Sequence, residues 1–178
     1  MFFERFFTPR PPVVAGRALF TSASDKARDP AFYQAGEVPD TYEGRFELYT
    51  LHVILLLHRL KGEGPQMAET RQGLFDAFIR NLDDGLREMG VGDLSVGKKM
   101  RKMGAGIYGR LKSYDEALKG DREVEAVTPL LIRTVFAEAE TPAATGLARY
   151  VVGARDALAA QPTEKFLQGE AAWPSFAA

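Results

Sequence analysis

Between Val96 and Leu118, apolar side chains fall at positions 96, 100, 103, 107, 111, 114 and 118. Steps of three and four keep one face of a 3.6-residue helix apolar for about six turns. A strand cannot use this pattern, because its faces alternate every second residue and half the set would turn outward. The same period places Leu74, Phe75, Phe78, Ile79, Leu82, Leu86 and Met89 opposite Glu69, Gln72, Asp76, Arg80, Asp83 and Arg87. Phe46 to Leu60 is apolar on nearly every face, as in a helix buried at the centre of a fold. No apolar alternation of period two, bounded by turn residues, occurs anywhere. The expectation is all-α: a single-domain, irregular bundle of about six to eight helices.

Breaker residues divide the chain. Thr8 to Pro12 and Asp25 to Pro30 bracket a leading helix of roughly Val13 to Ser24. Gly62, Gly64 and Pro65 close the central helix, and Gly90-Val91-Gly92 separates the two long amphipathic ones, with Asp93 or Ser95 as N-cap of the second. Asp121 is placed to cap a further segment that Pro129 should kink or divide. Thr128 would then cap a second piece holding Leu130, Leu131, Val135 and Phe136. Thr141-Pro142 starts a helix that Gln161-Pro162 closes. At 178 residues the chain suits one domain, read as an aromatic segment 1–12, a helical body 13–168 and a tail 169–178.

Composition narrows the chemistry. With 23 Lys plus Arg against 24 Asp plus Glu, the net charge of −1 offers no general attraction to DNA or anionic lipid, so such contact has to be local. The absence of cysteine excludes thiol catalysis, disulfides and Cys-ligated metals. His52 and His58 stand six residues apart, about 120° around a helix, and cannot chelate one metal together. Gly92 to Lys98 has phosphate-loop spacing, but Lys99 replaces the hydroxyl residue that would ligate magnesium and no strand precedes it. Gly104, Gly106 and Gly109 spell a dinucleotide fingerprint inside a helical stripe, again without a strand. No G-x-S-x-G elbow is present. The reading is of a protein that is not an enzyme and has no catalytic residue, cofactor or metal site. The five-residue run Val53 to Leu57 is the longest strictly apolar one, far short of a bilayer span, and residues 1–12 carry no export signal. A reducing, bacterial cytoplasm is the expected location.

Three features suggest binding. Lys98, Lys99, Arg101, Lys102, Arg110 and Lys112 form a run without an acid, following a stretch from Asp76 to Asp93 rich in carboxylates. This is either a solvated face or a basic surface for RNA, lipid headgroups or an acidic protein. Phe2, Phe3, Phe6 and Phe7 share one helical face, for docking on the protein's own core, on a membrane or on a partner. Gly104, Gly106 and Gly109 weaken a helix interior and are read as a smooth packing face, or as a groove or hinge for a partner helix.

The run Leu86-Arg87-Glu88-Met89-Gly90-Val91-Gly92-Asp93-Leu94, followed by Lys98-Lys99-Met100, Tyr108-Gly109-Arg110-Leu111 and Tyr114-Asp115, resembles the ubiquinol-cytochrome c chaperone family. Gly44-Arg45-Phe46-Glu47-Leu48, Leu51-His52-Val53 and Leu74-Phe75-Asp76 are similar to it as well. The resemblance covers Pro30 to Leu118, about half the chain, and Gly97 stands where many members carry proline. It implies an all-α, cofactor-free assembly chaperone with cytochrome b of the ubiquinol-cytochrome c reductase as client. It adds Arg87, Glu88 and Asp93 to the candidate partner-binding residues. Mitochondrial members are associated with the ribosomal tunnel exit and a small helical partner protein. The contacts expected here are therefore cytochrome b, with a ribosome, an anionic membrane surface or such a partner in addition, and a place in the cytoplasm or on the cytoplasmic face of the inner membrane. A helical adaptor or membrane-surface module without that client is the alternative.

Overall fold

The computed structural model describes residues 10–120 and 122–176, apart from the side chains of Asp93 and Leu94. Eight helices run in order: α1 (Pro11–Ala27), α2 (Ala31–Gln34), α3 (Tyr42–Arg59), α4 (Pro65–Glu88), α5 (Asp93–Ala117), α6 (Glu123–Arg133), α7 (Pro142–Ala159) and α8 (Thr163–Leu167). Among the described residues there is no strand, as the periodicity predicts. None of the described helices is long and apolar enough to cross a membrane.

Helix α3 is the hub. Thr41 caps it by accepting from the Gly44 amide, and every residue from Leu51 to Leu57 is buried. Helices α1, α4, α5 and α7 all pack on it. This is what an apolar sequence on all faces requires, since each face needs its own cover. Helices α1 and α4 run side by side in the same direction. Arg10 pairs with Glu69 at their starts, while Ser24 and Arg28 share a groove with Asn81 and Gly85 near their ends. Gly16 permits the approach: a Cβ there would strike the Thr70–Leu74 backbone, lying 2.6 Å from the Gly73 carbonyl carbon.

Several boundaries differ from expectation. Helix α1 extends to Pro11–Ala27, because prolines fit the first helical turn, where no amide donor is needed. The short helices α2 and α8 carry too few residues to show a period. Helix α6 runs through Pro129 undivided, and Thr128, expected as a cap, instead donates its hydroxyl to the Val124 carbonyl, 2.7 Å away. Val135 and Phe136 lie beyond that helix, in a turn where Ala137 and Glu138 take positive φ. Gly92, rather than Asp93 or Ser95, is the N-cap of α5, while Thr141 caps α7 as expected by accepting from Ala143. Residues 169–176 form an irregular strap against the body, with Phe176 buried.

Candidate binding surface

A groove of about 320 Å³ opens between the end of α1, the start of α3 and the second half of α4. Tyr33, Tyr42, Phe46 and Tyr49 form much of its wall, with Leu82 and Gly85 opposite. Each element contributes through its period: Phe46 and Tyr49 lie three residues apart on α3, and Leu82 and Gly85 three apart on α4. The Tyr49 hydroxyl donates to Asn81 Oδ1 at 3.1 Å, and that of Tyr33 to the Ala27 carbonyl at 2.9 Å. Burial raises both phenols above their ordinary range, so they remain neutral. Tyr42, 60% exposed, stands at the mouth.

Two arginines edge the groove. Arg28 donates to Ser24 Oγ at 2.8 Å and pairs with Asp25, while Arg45 pairs with Asp40 and lies 5.6 Å from the Tyr33 ring centre. The lining has aromatic rings, satisfied polar groups and tethered cations, and no His, Asp, Glu or Lys stands among the lining residues to activate the Ser24 or tyrosine hydroxyls. Such a surface can bind apolar side chains and has no group poised to react with them.

The basic run lies elsewhere, on the outer side of α5. Lys98, Lys99, Arg101 and Lys102 are exposed. Arg110, counted with them in the sequence, instead forms a bidentate pair with Glu47 of α3, its Nε 2.8 Å from Oε2, and ties α5 to the hub. Arg87 pairs with Asp83 at 2.7 Å, Glu88 is exposed at the end of α4, and Asp93 opens α5. Phe2, Phe3, Phe6 and Phe7 lie outside the described residues.

The glycines require a correction. Added Cβ atoms at Gly104 and Gly109 would meet nothing within 4 Å, and one at Gly106 only the flexible tip of Arg110 at 3.1 Å. They are not an internal packing face, because the core side of α5 is held by Val96, Ile107 and Tyr114. Gly106 and Gly109 instead border an open cleft of about 390 Å³ beside α6, with Ser113, Arg133 and Thr134.

The histidines also have structural partners. His52 Nδ1 lies 2.8 Å from the Leu48 carbonyl and Nε2 2.9 Å from the Tyr150 hydroxyl. His58 Nδ1 is 2.7 Å from Asp115 Oδ1, and Lys61 is 2.7 Å from the other carboxylate oxygen. Burial alone would raise Asp115, but the hydrogen bonds from His58 and Lys61 outweigh it and hold the carboxyl below its ordinary value. No group of three or more metal-ligating side chains converges among the described residues.

With this geometry in place, the profile of the ubiquinol-cytochrome C chaperone family matches residues 34–173. The chain belongs to that family. The match takes in both helices that supply most of the groove wall, all of α5, and helices well beyond Leu118, where the sequence resemblance stopped. Among curated members, the mouse ubiquinol-cytochrome c reductase complex assembly factor 1 is 27% identical over 123 residues, covering 69% of this chain and 41% of that protein. The protein of the same name from Xenopus laevis is 23% identical over 113 residues, 64% of this chain and 56% of its own. The chain thus spans about half the length of these relatives. The crystal structure of the Cbp3 homolog from Brucella abortus superposes with a TM-score of 0.85 at 33% identity, covering 94% of this chain and 92% of that one.

Proposed function

We propose that this chaperone-family chain is a non-enzymatic assembly factor of the ubiquinol-cytochrome c reductase. Its client is newly made cytochrome b, held until haem and partner subunits join it. Family membership over residues 34–173 carries the reading, and the tyrosine-lined groove supports it with a mechanism. A membrane subunit not yet assembled exposes apolar side chains, and the groove offers aromatic area without a reactive group. A volume of about 320 Å³ takes one or two side chains and not a whole helix. Holding is therefore reversible, through a few anchor residues. The place of action in this reading is the cytoplasmic face of a bacterial inner membrane, with a ribosome or small helical protein as further contacts.

Deletion of the gene should deplete cytochrome b while other respiratory complexes persist. Photocrosslinking from a probe at Tyr42, at the mouth of the groove, should capture cytochrome b in growing cells, and adding Phe46→Asp to the same chain should abolish that capture while the protein stays folded. Normal cytochrome b in the deletion strain would sink the reading. It would leave the helical adaptor or membrane-surface module, which the exposed cations of α5 favour.

A further inference from the structure

Helix α5 turns an uncovered cationic face to solvent. Lys98, Lys99, Arg101 and Lys102 are exposed there, and none has an ion pair with a described residue. No acidic residue occurs between Asp93 and Asp115. This separates the four from Lys112, the other exposed cation of the helix, which already has Glu116 at 3.9 Å.

Two further observations describe what the face would meet. Only four large hydrophobic side chains stand out as exposed among the described residues, and two of them border this patch: Met89 at 53%, in the turn before α5, and Tyr108 at 60%. Tyr108 follows Arg101 by seven residues, about 20° short of two full turns, and so shares its face. The Tyr108 ring rests on Phe75, with centres 5.6 Å apart. Between the cations the relief is low, since Cβ atoms at Gly97, Gly104 and Gly109 would meet only open space. A convex, smooth helix with cations along it and an apolar group at each end matches a plane of charge over hydrocarbon. A single-stranded polynucleotide would call for a groove with stacking rings among the cations, and residues 97–106 contain no aromatic residue.

We propose that the outer face of α5 docks on anionic phospholipid headgroups, through Lys98, Lys99, Arg101 and Lys102, with Met89 and Tyr108 entering the interface. The inference rests on the membrane-peripheral part of the reading above and names the surface that serves it. Nearness to an anionic membrane favours each basic residue by about fivefold. Loss of all four should weaken binding by roughly two to three orders of magnitude.

The test is co-sedimentation of the full chain with vesicles of phosphatidylglycerol and phosphatidylcholine, and with phosphatidylcholine alone, from 0.1 to 1 M salt. Binding should need phosphatidylglycerol and should fade with salt, as screening shortens from about 10 Å to about 3 Å. A variant carrying Lys98→Glu, Lys99→Glu, Arg101→Glu and Lys102→Glu should lose it while keeping the parent's circular dichroism. The four corresponding changes to Gln serve the same end should the charge-reversed chain fail to fold. Met89→Ser with Tyr108→Ser should remove the part of binding that survives high salt. Equal binding to phosphatidylcholine alone, or unchanged binding by the folded variants, overturns the proposal. Loss of ribosome binding in the variants with vesicle binding unchanged also overturns it, in favour of RNA. These outcomes are independent of cytochrome b levels in the deletion strain, so the two readings can fail separately.

Discussion

The imidazole of His52 is buried among Phe32, Tyr150 and Trp173, with ring centres 5.2 to 5.7 Å away. The Leu48 carbonyl can only accept, so Nδ1 carries the proton, and Nε2 accepts from the Tyr150 hydroxyl. Both ring nitrogens are thus satisfied in the neutral form, and burial pulls the pKa from 6.5 down to about 4. The unfolded chain therefore binds a proton more readily than the folded one. The stabilisation is complete above about pH 6.5 and is lost as the pH falls from there towards 4, at most about 3 kcal/mol in all. Urea midpoints measured across that window should drop for the parent and stay flatter for His52→Gln. Tyr150→Phe leaves Nε2 facing no donor and should cost about 1 to 3 kcal/mol at pH 7; an unchanged midpoint would show that the hydrogen bond contributes nothing. The sequence gives the pair of histidines and their separation, but Tyr150 lies ninety-eight residues from its partner, so periodicity cannot reveal this contact.

Three arginines join helix to helix by the same device. Arg71 of α4 donates to the Leu57 carbonyl near the end of α3, Arg59 of α3 to the Leu158 carbonyl at the end of α7, and Arg155 of α7 to the Leu118 carbonyl just past α5. Each supplies positive charge to a carbonyl at or near a helix end, where the intrahelical ladder runs out, and the one at Leu158 also accepts from the Gln161 amide at 3.2 Å. Arg59 also reaches Gln161 and Glu63, and its guanidinium lies 4.6 Å from the Phe166 ring centre. Lysine cannot fork in this way, so Arg59→Lys should recover little of the roughly 2 to 4 kcal/mol lost in Arg59→Ala, as read from thermal unfolding. The helices themselves were legible, because an apolar stripe repeated over many turns has no other use. Which glycines lie against a neighbour was not, since a gap in a stripe looks alike whether a backbone or water fills it. Gly16 meets the backbone of α4 and Gly104 meets nothing. Gly16→Ala should therefore lower the melting temperature, while Gly104→Ala should raise stability by up to about 1 kcal/mol through helix propensity. The groove escaped sequence reading for a related reason: its tyrosines come from two helices, Tyr33 from α2 and Tyr42 and Tyr49 from α3, and no single stripe unites them.

At the scale of the molecule, the strap of residues 169–176 connects elements that are far apart in sequence. Trp173 Nε1 donates to Ser22 Oγ of α1 at 3.0 Å, and Phe176 lies 5.1 Å from Phe32 of α2 and 5.7 Å from Tyr150 of α7, between ring centres. Gln161 clasps the strap in both directions, accepting from the Ala172 amide and donating to its carbonyl, each at 2.8 Å. Gly169 turns the chain back at φ +82, close against Ala18, a conformation that favours glycine. The strap has no regular structure of its own, so its order depends on these few side chains, and segments of that kind open at lower free energy than the core beneath them. Phe176→Ala removes a buried ring at a cost of about 3 to 5 kcal/mol if the site is fully coupled to the core, and less if the strap releases alone. The single tryptophan of the chain lies within the strap and reports on it directly. In Phe176→Ala, and more mildly in Gln161→Ala, its emission should shift to the red at urea concentrations where the helical circular dichroism is still that of the parent. Coincident transitions by both probes, in both variants, would show instead that strap and bundle unfold as one unit, and that the closing contacts of the chain are as much a part of the core as α3.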